Sequence, residues 1–367
     1  MKYRVTTLTP TLVGDGQRLA PIDYMVWKDH VNVLDQRRIF RLLAKGPRLD
    51  GYLTQLKKSE KLDFASWGGF AQNFAGRRIP FEHSSSISSW EKARAENLFI
   101  PTFATSPAGP YLPGTAIKGA LRTGAVFEKW TEGTLRDLAH RIAEDRMPRR
   151  LSERSEDSAL GGGGSNRMRR VAAADSAVVG HTGMKVFLLR VATLVAKGGQ
   201  KHELGWKAPR GSVESRRIEE STPIFAEMAA PGSVFEGGWN ERSESDRARL
   251  FRASNGYAAA LIARHKEYAA AVGLGRLLAT LATLEQRLAL VKDRKDSCLL
   301  SIGWGGGLLA KSAYLNTQDE AYREIVRQVP MYQRAIQTGM PFPKTRKIVF
   351  EESQPASLPG WVILEVS

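Results

Sequence analysis

The sequence predicts an α+β protein built from two ferredoxin-like modules that carry helical and loop insertions. Three observations lead there. Strand-like and helix-like runs are mixed without the strict alternation of a doubly wound sheet. The 367 residues suffice for more than one core, because domains usually run to about 100–200 residues. A hydrophobic fraction of 42% with 8% aromatic residues belongs to a folded chain rather than a disordered one.

Taken in order, "KYRVTTL" (Lys2–Leu8) reads as a short strand that ends at Pro10 and the turn "GDG", Gly14 to Gly16. Tyr24–Trp27 reads as a second strand, and Asp35 can cap a helix with an apolar face of Ile39, Leu42 and Leu43. From about 51 to 89 the chain is polar with scattered aromatics, as in "SWGGF" and "HSSSISS", which marks an insertion rather than core. Thr115–Trp130 reads as a helix. The stretch from about 144 to 165, dense in charge and glycine and closing on "GGGGS", is expected as a flexible loop of the native chain.

The first module therefore covers residues 1–183 and the second 184–367. "MKVFLLRVATLVA" (Met184–Ala196) opens the second as a long apolar strand. "TPIFAEM" and "SVFEGGW", parted by "AAPG", predict a hairpin. The Ala- and Leu-rich stretch at about 255–292 predicts a helical insertion, two helices broken at Gly273 and Gly275. Strands Ser297–Ile302 and Trp361–Val366 complete the module, the first running into the glycine run "GWGGG".

Charge narrows the function. Lys and Arg number 54 against 38 Asp and Glu, a formal +16, and the sequence pI is near 10.0. A surplus of that size attracts polyanions and releases their counterions on binding, which makes nucleic acid the leading partner. No apolar run long enough to cross a membrane and no signal-type segment occurs, so no membrane partner is expected. Cys298 is the only cysteine, which excludes an intrachain disulfide and a thiolate metal site and fits a reducing cytoplasm. The 6 histidines are scattered without the spacing that lets two share a metal from one helix. Neither metal nor cofactor is expected.

Three motifs carry the candidate chemistry. In "PYLPGTAIKGALRTG" (Pro110–Gly124), Pro113 and Gly114 form a turn, Thr115 is placed to cap the helix, and Lys118 and Arg122 stand four apart on one face. Free N–H groups of the first turn beside two cations would suit a phosphate. Gly119 and Ala120 keep that helix thin enough for another backbone to approach. "SIGWGGGLLAKS" (Ser301–Ser312) resembles a P-loop in outline, but Ala310 stands where the last glycine of the phosphate cradle belongs, which disfavours an ATPase. Its Gly303, Gly305, Gly306 and Gly307 still let a backbone reach a ligand, with Trp304 available to stack on a base and Lys311 nearby. "NRMRRVAAADS" (Asn166–Ser176) offers Arg167, Arg169 and Arg170 as phosphate forks. For each, the plainer alternative is a packing glycine, a tight turn or a solvated charge cluster. Among carboxylates, Asp23 is the best placed for a nuclease, ahead of Asp15 and Asp175. It stands alone, without the second carboxylate or histidine that cleavage needs, so the protein is expected to be no enzyme, with an Asp23-dependent endoribonuclease as the alternative.

In sequence order, "VTTLTPTLVGDG", "YLPGTAIKGALRTG", "RMRRVAAADS" and "IGWGGGLLAKS" resemble the RAMP superfamily of CRISPR effector subunits. The closing "FPKTRKIVF" (Phe342–Phe350) and "LPGWVILEV" are similar to the subunit-five family of the type III-A Csm complex. The resemblance implies RRM-like modules in a ribonucleoprotein of antiviral defence. It implies a subunit that caps the complex backbone at the 3′ part of the CRISPR RNA (crRNA), stacks on neighbouring Csm subunits and contributes to crRNA maturation, with host ribonucleases as partners in trimming. RNA cleavage belongs to a sibling subunit in that family, and Asp23 lies in an "ID…VWKD" setting like the one that carries the sibling's aspartate.

Overall fold

Lys2–Thr7 alternates exposed and buried residues, and that period of two is what places Tyr3, Val5 and Thr7 on a core face. The computed structural model, which describes residues 1–44, 46, 48–58, 73–144, 151–198, 202–209, 214–330, 332–333, 336 and 340–367, makes this strand the centre of a five-stranded antiparallel sheet. Its order is Ser297–Ser301, Trp361–Val366, Lys2–Thr7, Val234–Glu241, Val171–Ser176. With the edge strand Ser297–Ser301 set aside, the rest run 4-1-3-2 when counted along the chain. The helix Gly114–Lys129 lies between the first and second strands, and Glu244–Ala271 with Gly275–Val291 between the third and fourth. That is the β-α-β-β-α-β arrangement.

The second sheet is built on Met184–Ala196, whose 13 residues allow it three partners. Ile224–Ala229 pairs with its first half and His202–Trp206 with its end. Thr345–Glu351 runs along the other edge and carries Gln354–Ser357 outside it. Among the described residues no α-helix separates the strands starting at 184, 202 and 224, so this sheet does not repeat the strand order of the first. The first sheet also takes strands from both sides of residue 184, two from the N-terminal part and three from the C-terminal part.

Alternation along Met184–Ala196 divides the interior. Phe187 and Leu189 enter a core with Tyr3, Val5, Ile117, Leu121 and Phe235, whereas Val186, Leu188, Ala192 and Leu194 enter a second core with Leu261, Leu277, Leu281 and Leu284 of the two long helices. Each of the larger of these side chains contributes about 1.5–3 kcal/mol when fully buried, and this strand is shared by both cores.

Four expectations are corrected. "TPIFAEM" and "SVFEGGW" form no hairpin: Ile224–Ala229 joins the second sheet and Val234–Glu241 the first, so "AAPG" is a crossing between sheets. Residues 51–89 are only partly an insertion. Ala75–Pro80 pairs with His30–Leu34, Tyr52, Ile79 and Phe81 are buried, and "SWGGF" lies outside the described residues. The expected loop at 144–165 contains the helix Leu151–Leu160. Leu42, assigned to an apolar face, is exposed, while Ile39 and Leu43 are buried as the Asp35 cap directs: its side chain accepts from the Arg38 N–H.

Candidate nucleic-acid interface

Two of the three motifs meet at one place. A groove of about 660 Å³ is walled by the "GDG" segment from Leu12 to Arg18, by one face of the helix Gly114–Lys129, and by the glycine loop after Ser301. The join is made by backbone. Trp304 N–H donates to Leu12 O at 2.7 Å, and Thr102 N–H donates to Gln17 O at 3.2 Å on the far wall. Gly303 has φ +75 and its Cβ position lies 2.2 Å from Leu12 O, so no other residue fits there without moving the wall.

The helix presents Ala116, Gly119, Ala120 and Thr123 to the groove. These are small, and a Cβ on Gly119 would meet nothing within 4 Å. The helix is thin there, as the sequence suggests, but what it faces is open space rather than another backbone. The close approach is at Gly114, whose Cβ would sit 2.2 Å from Ala173 O. Gly114 therefore packs against the edge strand, away from the groove.

Thr115 is not the cap. The helix begins at Gly114, with Pro113 in the cap position and no capping side chain of its own. Asp175 supplies the missing acceptor from the neighbouring strand, taking the Gly114 N–H on Oδ1 at 2.9 Å. An acceptor so distant in sequence could not be found by local spacing. Burial first, and then the charge of Asp175, push the Tyr3 hydroxyl up to about 12, and that hydroxyl donates to Ala174 O.

Lys118 and Arg122 do not line the groove. With 3.6 residues per turn, Lys118 lies about 100° around the helix from Gly119 and Arg122 about 100° from Thr123, both turned away from the middle of the groove-facing stripe Ala116, Gly119, Ala120 and Thr123. Arg122 pairs instead with Glu156 of the helix Leu151–Leu160. Arg167, Arg169 and Arg170 form a 3-10 turn capped by Asn166, also outside the groove. Arg170 pairs with Asp246 at 3.2 Å, in the first turn of Glu244–Ala271, and Arg169 is exposed.

The glycine loop divides its roles. Trp304 and exposed Lys311 line the groove with Gly303, whereas Gly305 packs on Pro359 and Gly306 on Ala310. Gly307 is exposed. Trp304 has one face covered by Lys347, whose Nζ is 4.0 Å from the ring centre, so at most its other face is open to a base. Sequence reasoning missed Lys347, Lys207 and Arg18. Arg18 lines the groove and stacks over Phe99. Lys347 is held below its ordinary value by burial and then by Lys207 and Lys311, so three ammonium groups stand close beside the groove mouth. Only the alternation of "TRKIVF" hinted that Lys347 shares a face with Val349.

The outer face of the first sheet is different. Its exposed positions include Lys2, Arg4, Glu236 and Asn240, with Arg4 paired to Glu236 at 2.8 Å, and the sheet's aromatics Tyr3, Phe235, Trp239 and Trp361 are all buried. It offers no stacking platform for bases.

The candidate carboxylates are turn formers. Asp23 Oδ2 accepts the Ala20 N–H at 2.7 Å and Asp15 Oδ1 the Gln17 N–H at 3.0 Å. Asp23 is not among the groove-lining residues. Among the described residues no group of three His, Cys, Asp or Glu is placed to hold a metal, and no helix is long and apolar enough to cross a membrane.

A family model described as "RAMP superfamily" matches residues 4–258. No curated protein matches the chain. Among solved structures, a chain of a Csm–crRNA–target RNA ternary complex of a type III-A CRISPR–Cas system is similar at 17% identity and TM-score 0.69, with 100% of both chains covered. The crystal structure of Csm5 from T. onnurineus is similar at 16% identity and TM-score 0.64, covering 98% of this chain and 99% of that one. At such identities the likeness is one of fold, and it extends over the whole chain.

Proposed function

This chain belongs to the RAMP superfamily, and from that premise we propose that it is a non-catalytic RNA-binding subunit of a type III-A CRISPR (Csm) effector. In this reading it caps the backbone at the crRNA 3′ end, takes part in crRNA maturation and touches neighbouring Csm subunits. The observation that carries the reading is the meeting of the "GDG" turn, the Gly119 helix face and the glycine loop at one groove bordered by Arg18, Lys311 and Lys347. A trough of backbone and small side chains accepts a chain of nucleotides without choosing among bases, and cations at its mouth hold phosphates. Full coverage of the Csm–crRNA–target RNA chain supports the type III-A assignment. The endonuclease reading through Asp23 rests on sequence setting alone, since its carboxylate is engaged in a turn.

The test is a fluorescence anisotropy titration of single-stranded RNA across salt. Wild-type protein should bind several unrelated sequences with similar affinity, weakening as salt rises. Arg18→Ala with Lys311→Ala should weaken binding by about 1–3 kcal/mol and lower the salt slope by roughly one unit per lost phosphate contact. Unchanged affinity and slope in the double variant would remove the groove from the RNA path. Labelled crRNA precursor incubated with Mg²⁺ or Mn²⁺ should stay intact, and cleavage abolished by Asp23→Ala would restore the endonuclease reading.

A further inference from the structure

On the opposite face of the second sheet from the groove lies a second polar cavity, of about 210 Å³. Arg190 points into it from Met184–Ala196, on the side of Leu188 and Ala192 rather than that of Leu189. Arg190 is 5% exposed; its guanidinium lies 5.8 Å from the centre of the Phe350 ring, and no carboxylate of the described residues pairs with it within 4 Å. Nη1 donates to Ser221 O at 2.6 Å and Ser221 Oγ at 2.8 Å, and Nη2 donates to Ser89 Oγ at 3.3 Å. Nε has no hydrogen-bond partner among the described residues.

A charge so placed costs several kcal/mol unless something neutralises it. Burial lowers the affinity of Arg190 for its proton, opposed by the charge of Glu219, which lines the same cavity. The walls add Lys92 and Arg94, with Ser88, Ser89 and Asn97 as donors. Two carboxylates also border the cavity. Glu220 is occupied by Ser215 Oγ at 2.6 Å and by Arg217, and Glu219 is exposed. Arg346 is the internal control. It also lacks a carboxylate, but its Nε donates to His265 and its Nη1 to the carbonyls of Pro343 and Thr345. The cavity beside it is only about 20 Å³, too small for a ligand.

We propose that the Arg190 cavity is a binding site for a phosphate-class oxyanion, with Arg190 as the buried cation and Lys92 and Arg94 at the entrance. The anion completes the charge that the protein leaves open. Its source is either a phosphate of bound RNA or a free phosphate-bearing molecule, and these are separable.

The experiment is calorimetric titration of the full-length protein with inorganic phosphate and with adenosine 5′-monophosphate at constant ionic strength. Saturable binding is expected in wild type, weakened about tenfold or more by Lys92→Ala, as for loss of one charge-assisted contact. Arg190→Gln should abolish it. Should Arg190→Gln fail to fold, the exposed Lys92→Ala and Arg94→Ala variants decide the matter alone. RNA affinity reduced by Lys92→Ala identifies an RNA phosphate as the source, and RNA affinity unchanged identifies a free ligand. Absence of saturable phosphate binding, or binding indifferent to both Lys92→Ala and Arg94→Ala, overturns the site. Arg18→Ala with Lys311→Ala leaves this binding intact, so the groove can fail its own test independently.

Discussion

Behind the groove wall the buried charge has an oppositely charged partner; behind the second cavity, among the described residues, it has none. Glu227 is fully buried on Ile224–Ala229, and Arg77 meets its Oε2 at 2.8 Å while Oε1 has no hydrogen-bond partner among the described residues. Burial pushes its carboxyl up, while Arg77 and the Phe103 backbone amide pull it back. Thr102, next to Phe103, lines the groove. Arg190, also buried, meets hydroxyl and carbonyl oxygens and the face of the Phe350 ring, 5.8 Å from its centre, but no carboxylate among the described residues. Where the interior charge is settled within the chain, the surface above it can be a neutral trough with cations at its edge, open to a polymer. Where the interior charge is left open, the cavity above it favours one small anion.

The largest effect expected from breaking this contrast is at the settled pair. Arg77→Met leaves Glu227 buried without its partner and should cost about 3–5 kcal/mol of stability, read as a lowered urea midpoint. Arg190→Gln, with no paired charge to orphan, should cost less unless phosphate is present, and phosphate should stabilise wild type but not the variant. A loss at Arg77 below about 1 kcal/mol would mean that Glu227 is not held charged and that the two regions do not differ in this way.

A smaller effect sharpens the groove side. His265 is buried behind the glycine loop, and Arg346 Nε donates to its Nδ1 at 3.2 Å. Burial first and then the charge of Arg346 hold its pKa well below the ordinary histidine value. The unfolded chain therefore takes up this proton as pH falls below about 6.5 while the folded chain does not. Its contribution is present above that pH and is lost on acidification, by at most about 1.4 kcal/mol per pH unit. His265→Gln keeps an acceptor for Arg346 and removes the proton. Its stability should fall less steeply than wild type from about pH 6.5 to 5 in urea titrations, and parallel curves would show that His265 is not the titrating group.

What the sequence made legible follows from how far each signal reaches. Met184–Ala196 and Trp361–Val366 were readable because long apolar β-branched runs depend on nothing outside themselves, and Gly273 marked the break between the long helices because its φ is +71. The "AAPG" hairpin failed because turn chemistry fixes a change of direction and leaves open which strand pairs on either side. The Thr115 cap failed because the acceptor came from Asp175, sixty residues on in sequence. The groove itself was half legible. Glycine runs signal close approach, but the assignment of cations to it required knowing that Gly119 and Thr123, rather than Lys118 and Arg122, face inward.

That last difference gives the smallest predicted effect. The spacing of Lys118 and Arg122 suggests a phosphate clamp, whose loss would weaken RNA by about 1–3 kcal/mol. Their placement away from the groove, with Arg122 half exposed and paired to Glu156, leads to a different expectation. The double variant Lys118→Ala, Arg122→Ala should lose less than about 1 kcal/mol of RNA affinity, because screened charges outside the groove act only through the general field. The salt slope should change less than in Arg18→Ala with Lys311→Ala, and circular dichroism should be unchanged. A loss equal to that of the Arg18 and Lys311 variant would move the RNA path onto the other face of the helix, toward Arg167 and Arg169, and would make the groove a structural seam instead.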